Sequence, residues 1–129
     1  MNLPEGLKYT KEHEWVKIDG DIATVGITDF AQQQLTDIVF VELPEKGKRV
    51  EQSKQAAVVE SVKSVSDIFA PLSGEVTEVN SSIVDTPEKL NKDPYGEGWL
   101  FKIKITDRSK IDNLLSAKEY EEFVKSEAH

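Results

Sequence analysis

Cysteine is absent from this chain of 129 residues. Disulfide staples, thiolate metal sites and cysteine nucleophiles are thereby excluded, and any redox-active sulfur must be brought by a cofactor. Positive charge is also scarce. Sixteen Lys and Arg stand against twenty-four Asp and Glu, a formal charge of −8. Nucleic-acid binding needs clustered Lys and Arg, and docking on an anionic membrane needs the same, so neither partner is expected. No apolar run approaches membrane-spanning length, and residues 1–7 show no charged stretch followed by an apolar one. A reducing interior is therefore expected: the bacterial cytoplasm, or the mitochondrial matrix for a trimmed eukaryotic form. There is no glycine-rich phosphate cradle. Ser61, Ser64 and Ser66 have no evident histidine partner for nucleophilic catalysis. His13 with Glu12, Glu14 and Asp29 is too irregular a set for a metal site, and His13 reads as a core or rim residue.

The chain carries many short β-prone segments with turn punctuation, enough for one domain over 1–129. Segments 13–18 and 22–27 flank Asp19-Gly20-Asp21, a strong hairpin signal. Thr28 or Asp29 can cap a short helix over 30–35. A strand over 38–43 stops at Pro44, and Gly47 marks the next turn. Segments 55–62 and 65–69 form a central hairpin, which Pro71 and Gly74 end. Strands over 75–79 and 99–105 follow, separated by a polar loop at 91–98. After Asp107 the pattern turns helical. Ser116 and Glu119 fit a capping box, and Tyr120, Phe123 and Val124 form an apolar stripe that must pack on something. The expected fold is mainly β: a barrel-like sandwich of two small antiparallel sheets, one short internal helix and a helical C-terminal extension over about 108–126. A faint echo between the halves before and after Lys63 suggests matching half-sheets. Trp15, Tyr95 and Trp99 read as core or loop anchors.

The central hairpin has an unusual tip. Tight hairpins favour Asn-Gly or Asp-Gly, yet Val62, Lys63 and Ser64 stand here instead. A turn written against local propensity marks a place where function prevailed. An exposed lysine amine on a flexible stem suits acylation by another enzyme, and it is poorly placed as a Schiff-base lysine, which needs a desolvated pocket. Taken alone, such a lysine would be an ordinary solvated one.

Its neighbours change that weighting. Val59-Glu60-Ser61-Val62-Lys63-Ser64-Val65-Ser66-Asp67 resembles the lipoylation motif of glycine cleavage system H proteins, which commonly has alanine where Ser64 stands. Tyr9 with His13-Glu14-Trp15, Val25 to Asp29, Val41-Glu42-Leu43-Pro44, Gly74-Glu75-Val76, Val79-Asn80, Pro94-Tyr95, Gly98-Trp99 and Ala117-Lys118-Glu119-Tyr120 resemble that family's other blocks at matching spacing.

The resemblance implies a lipoyl-domain fold and lipoic acid attached covalently to Lys63 as lipoamide, on a carrier with no catalysis of its own. It implies four partners. These are the lipoate-attaching enzyme, the pyridoxal-phosphate glycine decarboxylase (P protein), the tetrahydrofolate-dependent aminomethyltransferase (T protein) and dihydrolipoyl dehydrogenase (L protein). The carrier itself is expected to be a monomer. It further implies a cleft for the loaded arm, with Glu14 holding the cationic amine and Asp67 as second candidate. Glu12 adds a carboxylate where small polar residues are often seen. Without the resemblance, Glu14 reads as one solvated carboxylate among many. A biotinyl domain is the main alternative, but its lysine normally lies between methionines, where this chain has Val62 and Ser64. A 2-oxoacid dehydrogenase lipoyl domain would have Asp before the lysine. Donation of lipoyl groups to other complexes, an unmodified adaptor and a small enzyme using Lys63 complete the alternatives.

Overall fold

The Asp-Gly turn forms as its sequence dictates. In the computed structural model, which describes residues 3–127, strands β2 (Glu14–Asp19) and β3 (Ile22–Ile27) pair so that Asp19 faces Ile22. Gly20 takes φ +64° at the first loop position, a conformation that costs glycine little. Met1, Asn2, Ala128 and His129, the ends of the expected domain, lie outside the described residues.

The remaining strands are β1 (Lys8–Tyr9), β4 (Ile38–Glu42), β5 (Arg49–Val50), β6 (Gln55–Ser61), β7 (Val65–Phe69), β8 (Gly74–Val79) and β9 (Phe101–Ile105). They form two antiparallel sheets, one ordered β1-β2-β3-β9-β8-β5 and the other β4-β6-β7. The sheets face each other as a sandwich and do not close into a barrel. Six strands against three also correct the expectation of matching halves.

Strand alternation decides what lies between the sheets. Val25 and Ile27 of β3, Val76 of β8 and Ile103 of β9 meet Val41, Val59 and Ile68 of the smaller sheet in one apolar cluster. The opposite face of the larger sheet carries Trp15, covered by α4 (Ala117–Glu127), whose Tyr120 and Val124 are buried beside it. The predicted stripe thus has its packing surface. The capping box forms as well: Ser116 N–H donates to Glu119 Oε1 at 2.9 Å, and Glu119 N–H to Ser116 Oγ at 3.1 Å.

Four short elements escaped the sequence pattern. Two are the strands β1 and β5. The other two are single-turn helices, α2 (Ser82–Asp85) and α3 (Lys89–Lys92), the second intruding on the expected loop. Each helix buries one apolar residue, Ile83 or Leu90, and one residue shows no periodicity. The last strand starts at Phe101, two residues later than expected. The backbone before it is held by Asn80, whose Nδ2 donates to the carbonyls of Glu97 and Trp99. No helix among the described residues is long and apolar enough to cross a membrane.

Gly26 lies directly beneath the Trp15 ring, opposite it in the β2–β3 register, and a Cβ there would fall 2.5 Å from ring atoms. The indole cannot swing aside, because Trp15 is buried and its Nε1 donates to Pro94 O at 2.9 Å. Gly26→Ala is expected to lower stability by about 1–3 kcal/mol in urea unfolding, as overpacking does. Parent-like stability would show that the ring has room to move.

Candidate functional site

The tip of the β6–β7 hairpin keeps its residues out of the left-handed region: among the described residues outside glycine, only His13, Thr36 and Ser53 have positive φ. The Ser61 hydroxyl makes this possible. Its Oγ accepts from the N–H of Lys63 at 3.1 Å and of Ser64 at 3.0 Å, while Ser61 N–H donates to Ser64 O at 2.8 Å. A serine side chain does the work that Asn-Gly does elsewhere. Val62 N–H donates to Asp37 O at 3.0 Å, tying the tip to the segment before β4. Lys63 is exposed at the apex, and its Nζ donates to Gln34 O of α1 (Asp29–Leu35) at 3.3 Å.

That contact marks the mouth of a groove. A cavity of about 280 Å³ lies between α1 and β7, lined by Ile27, Phe30, Ala31, Leu35 and Ile68 with Gln34, Ser66, Glu12, His13 and Glu127. The helix forming its wall is fixed at both ends. Thr28 caps its start, with Oγ1 accepting from Ala31 N–H. Asn91 holds its end, donating to Gln32 Oε1 and Thr36 O and accepting from Ile38 N–H. Asn91 sat in a segment read only as a polar loop. Its role rests on contacts with residues more than fifty positions away, which no local pattern shows.

A second cavity of about 320 Å³, lined by Glu14, Thr10, Phe69 and Asn113 among others, lies beside it, and Glu12 lines both. Glu14 is not a solvated carboxylate: it is 1% exposed. It faces Ile27 in the β2–β3 register, so alternation turns it inward like Val16. Thr10 Oγ1 donates to its Oε1 at 2.5 Å, and Phe69 N–H, from the other sheet, donates to its Oε2 at 3.1 Å. Burial outweighs these two bonds, and with a smaller push from Glu12 it raises the Glu14 carboxyl up to about 7.

The other expected partner of the amine, Asp67, does not join Glu14. Ser66 and Ile68 line the groove, so alternation along β7 sends Asp67 to the outer face. There it accepts from Gln55 Nε2 at 3.0 Å.

Residues 7–127 match the family model described as glycine cleavage H-protein. This chain belongs to that family. It is 57% identical over 128 residues to the glycine cleavage system H protein of Herpetosiphon aurantiacus, covering 99% of this chain and 98% of the relative. With that of Symbiobacterium thermophilum the identity is 54% over 124 residues, 96% and 97% of the two chains. The crystal structure of a glycine cleavage system H protein from Mycobacterium marinum superposes with TM-score 0.83 at 40% identity, covering 98% of this chain and 99% of that one. Members of this family are lipoyl carriers, bearing the group covalently on a lysine, and are not themselves enzymes.

In this H-protein family member the burial of Glu14 has a measurable consequence. An unfolded glutamate titrates near 4.5 and the folded Glu14 near 7, so between these values the native state holds a proton that the unfolded chain has released. The stability contribution is therefore fully present below pH 4.5 and is lost as pH rises through 7. The loss is of order 3 kcal/mol, at about 1.4 kcal/mol for each pH unit that separates the two titrations. Urea unfolding is expected to show this fall for the parent and a fall smaller by about that amount over the same range for Glu14→Gln. Equal slopes would mean that the carboxylate is solvated in the folded state.

Proposed function

We propose that Lys63 bears the lipoyl group as lipoamide and that the groove beside α1 receives the arm when it carries its cargo. The observation behind this is the Lys63 ammonium, exposed at a hairpin apex yet 3.3 Å from Gln34 O at the mouth of a largely apolar groove. The chain is a lipoyl carrier of the glycine cleavage system, works with the other components of that system, and has no catalysis of its own. We read it as one carrier domain over 1–129, with the helical segment from about 108 to 126 as its cover.

The residues suit the group. Ile27, Phe30, Ala31, Leu35 and Ile68 offer a surface for an acyl chain, and Glu12 and Glu14 supply negative charge beyond it. When attached, lipoamide supplies sulfur that takes electrons and the aminomethyl cargo. The chain contributes placement and shelter. Lys63 tethers the reacting end, so that its effective concentration is high at whichever enzyme is docked. The groove excludes water from an amine bound next to sulfur, a linkage that water would break. Glu14 titrates near neutrality when alone, and an adjacent ammonium favours its ionised form, so cargo and carboxylate stabilise each other's charge.

The partners we assign are the lipoate-attaching enzyme, the P protein that loads the arm, the T protein that unloads it and the L protein that reoxidises it. The carrier visits them as a monomer. Its charge of −8 favours rapid encounter with basic docking faces. The two bacterial relatives above support a bacterial cytoplasm, where a reducing environment suits a dithiol arm.

Two measurements test this. Intact-mass analysis after incubation with lipoate and a competent ligase is expected to show one lipoyl group on the parent and none on Lys63→Arg. A parent without an adduct, or a Lys63→Arg variant with one, removes Lys63 from the role. For lipoylated protein loaded with the aminomethyl cargo, Glu14→Ala is expected to speed spontaneous loss of ammonia and formaldehyde by about tenfold or more, the worth of one charge-assisted hydrogen bond. Unchanged kinetics would take the amine away from Glu14.

A further inference from the structure

Side chains from α4 reach the arm groove, although the helix packs on the opposite face of the larger sheet. Tyr120 is fully buried, with its ring stacked on Tyr9 at 5.0 Å. Its hydroxyl lies 2.8 Å from Thr28 Oγ1 and 2.7 Å from His13 Nδ1. On the far side of that imidazole, Nε2 lies 3.0 Å from Glu127 Oε1, at the end of the same helix. Four groups therefore stand in line, and they touch the groove twice. Thr28 starts the helix that forms its wall, while His13 and Glu127 line it directly.

The protons in this line have one consistent order. Thr28 Oγ1 already accepts from Ala31 N–H, and Thr28 is fully buried, so its own hydroxyl proton goes to the Tyr120 oxygen. The Tyr120 proton then goes to His13 Nδ1. That leaves the imidazole proton on Nε2, pointing at Glu127. An Nδ1–H ring reverses the chain: Tyr120 would donate to Thr28, and the Thr28 proton would have no acceptor among the described residues. A buried donor without an acceptor costs about 1–3 kcal/mol. His13 is held for this task at φ +71°, with its N–H on Thr10 O at 3.2 Å and its carbonyl accepting from Thr28 N–H at 3.1 Å. Such a conformation is uncommon outside glycine and persists only where the surroundings enforce it.

We propose that Tyr120 and His13 are positioning residues for the arm. They form a directional relay, Thr28 to Tyr120 to His13 to Glu127, with the imidazole as its Nε2–H tautomer, by which the C-terminal helix fixes the wall and one end of the groove. The relay presupposes that the groove receives the arm. With it intact, α1 and the His13 ring keep one spacing, and the cargo is sheltered. Cut at Tyr120, the imidazole loses its orienting donor and the start of α1 loses a hydrogen-bond partner.

Tyr120→Phe keeps the stacked ring and removes only the hydroxyl. His13→Asn tolerates the left-handed backbone but cannot span from Tyr120 to Glu127. Long-range proton–nitrogen NMR of the imidazole in the unlipoylated parent is expected to show Nε2 protonated and Nδ1 bare, with that preference lost in Tyr120→Phe. An Nδ1–H ring in the parent overturns the relay, as does an unchanged tautomer in the variant. In lipoylated, cargo-loaded protein, each variant is expected to release amine about five- to tenfold faster than the parent at a temperature where both are folded, the worth of about one hydrogen bond. If the parent shelters its cargo and both variants shelter it equally well, the positioning role is overturned while the groove stands. If the folded parent releases amine as fast as the urea-unfolded protein, the groove itself is overturned, and the positioning role falls with it.

Discussion

A carboxylate caught between two sheets ties together the half of this molecule where the site is proposed. Glu14 belongs to the larger sheet and accepts from the Phe69 N–H of the smaller one, so one side chain spans the sandwich where its apolar filling ends. Burying it has a cost, visible in a carboxyl raised to about 7, and two hydrogen bonds offset that cost only in part. A core position that merely filled space would be better served by valine or isoleucine. Retaining an acid there places latent negative charge inside the protein, where a neighbouring cation would favour the ionised form.

In the role proposed for Lys63, the fold around that charge separates two demands that conflict. A carrier lysine must reach several active sites, so it needs an exposed and unencumbered tip. Its cargo must be kept from water between visits, so it needs an enclosed place nearby. The Ser61 hydroxyl holds the tip without glycine, giving a defined apex from which Lys63 projects. The groove proposed as its shelter has α1 for one wall, pinned by Thr28 at one end and Asn91 at the other. The tip and that wall are joined by the contact between Lys63 and Gln34, and β7 of the same hairpin forms the groove's other side.

Where local chemistry settled the outcome, the elements could be read from sequence alone. The Asp19-Gly20 turn, the Thr28 cap, the central hairpin and the Ser116–Glu119 box each depend on residues within a few positions of one another. The elements that were missed depend on distant partners. A one-turn helix exists because Leu90 finds the core, and β9 is delayed because Asn80 captures the chain ahead of it. Of the candidate residues, the exposed tip of Lys63 was legible, since a hairpin apex is a local feature. The opposite fates of Glu14 and Asp67 were not, because a one-residue difference in strand phase turns one carboxylate inward and the other outward.

The sequence by itself determined a cysteine-free acidic carrier, a mainly β fold with a helical tail, a lysine at a hairpin tip and the family to which these belong. Short-range periodicity, turn chemistry and motif spacing carry all of that. Tertiary structure alone decided that Glu14 is buried, that Asp67 faces away, and that His13, Thr28, Tyr120 and Glu127 form one line. Those facts arise from contacts spanning up to 114 positions of chain, and they exist only once two sheets and a terminal helix have packed. A side chain's neighbours across a sandwich are set by register and packing, and neither is written in any short window of residues.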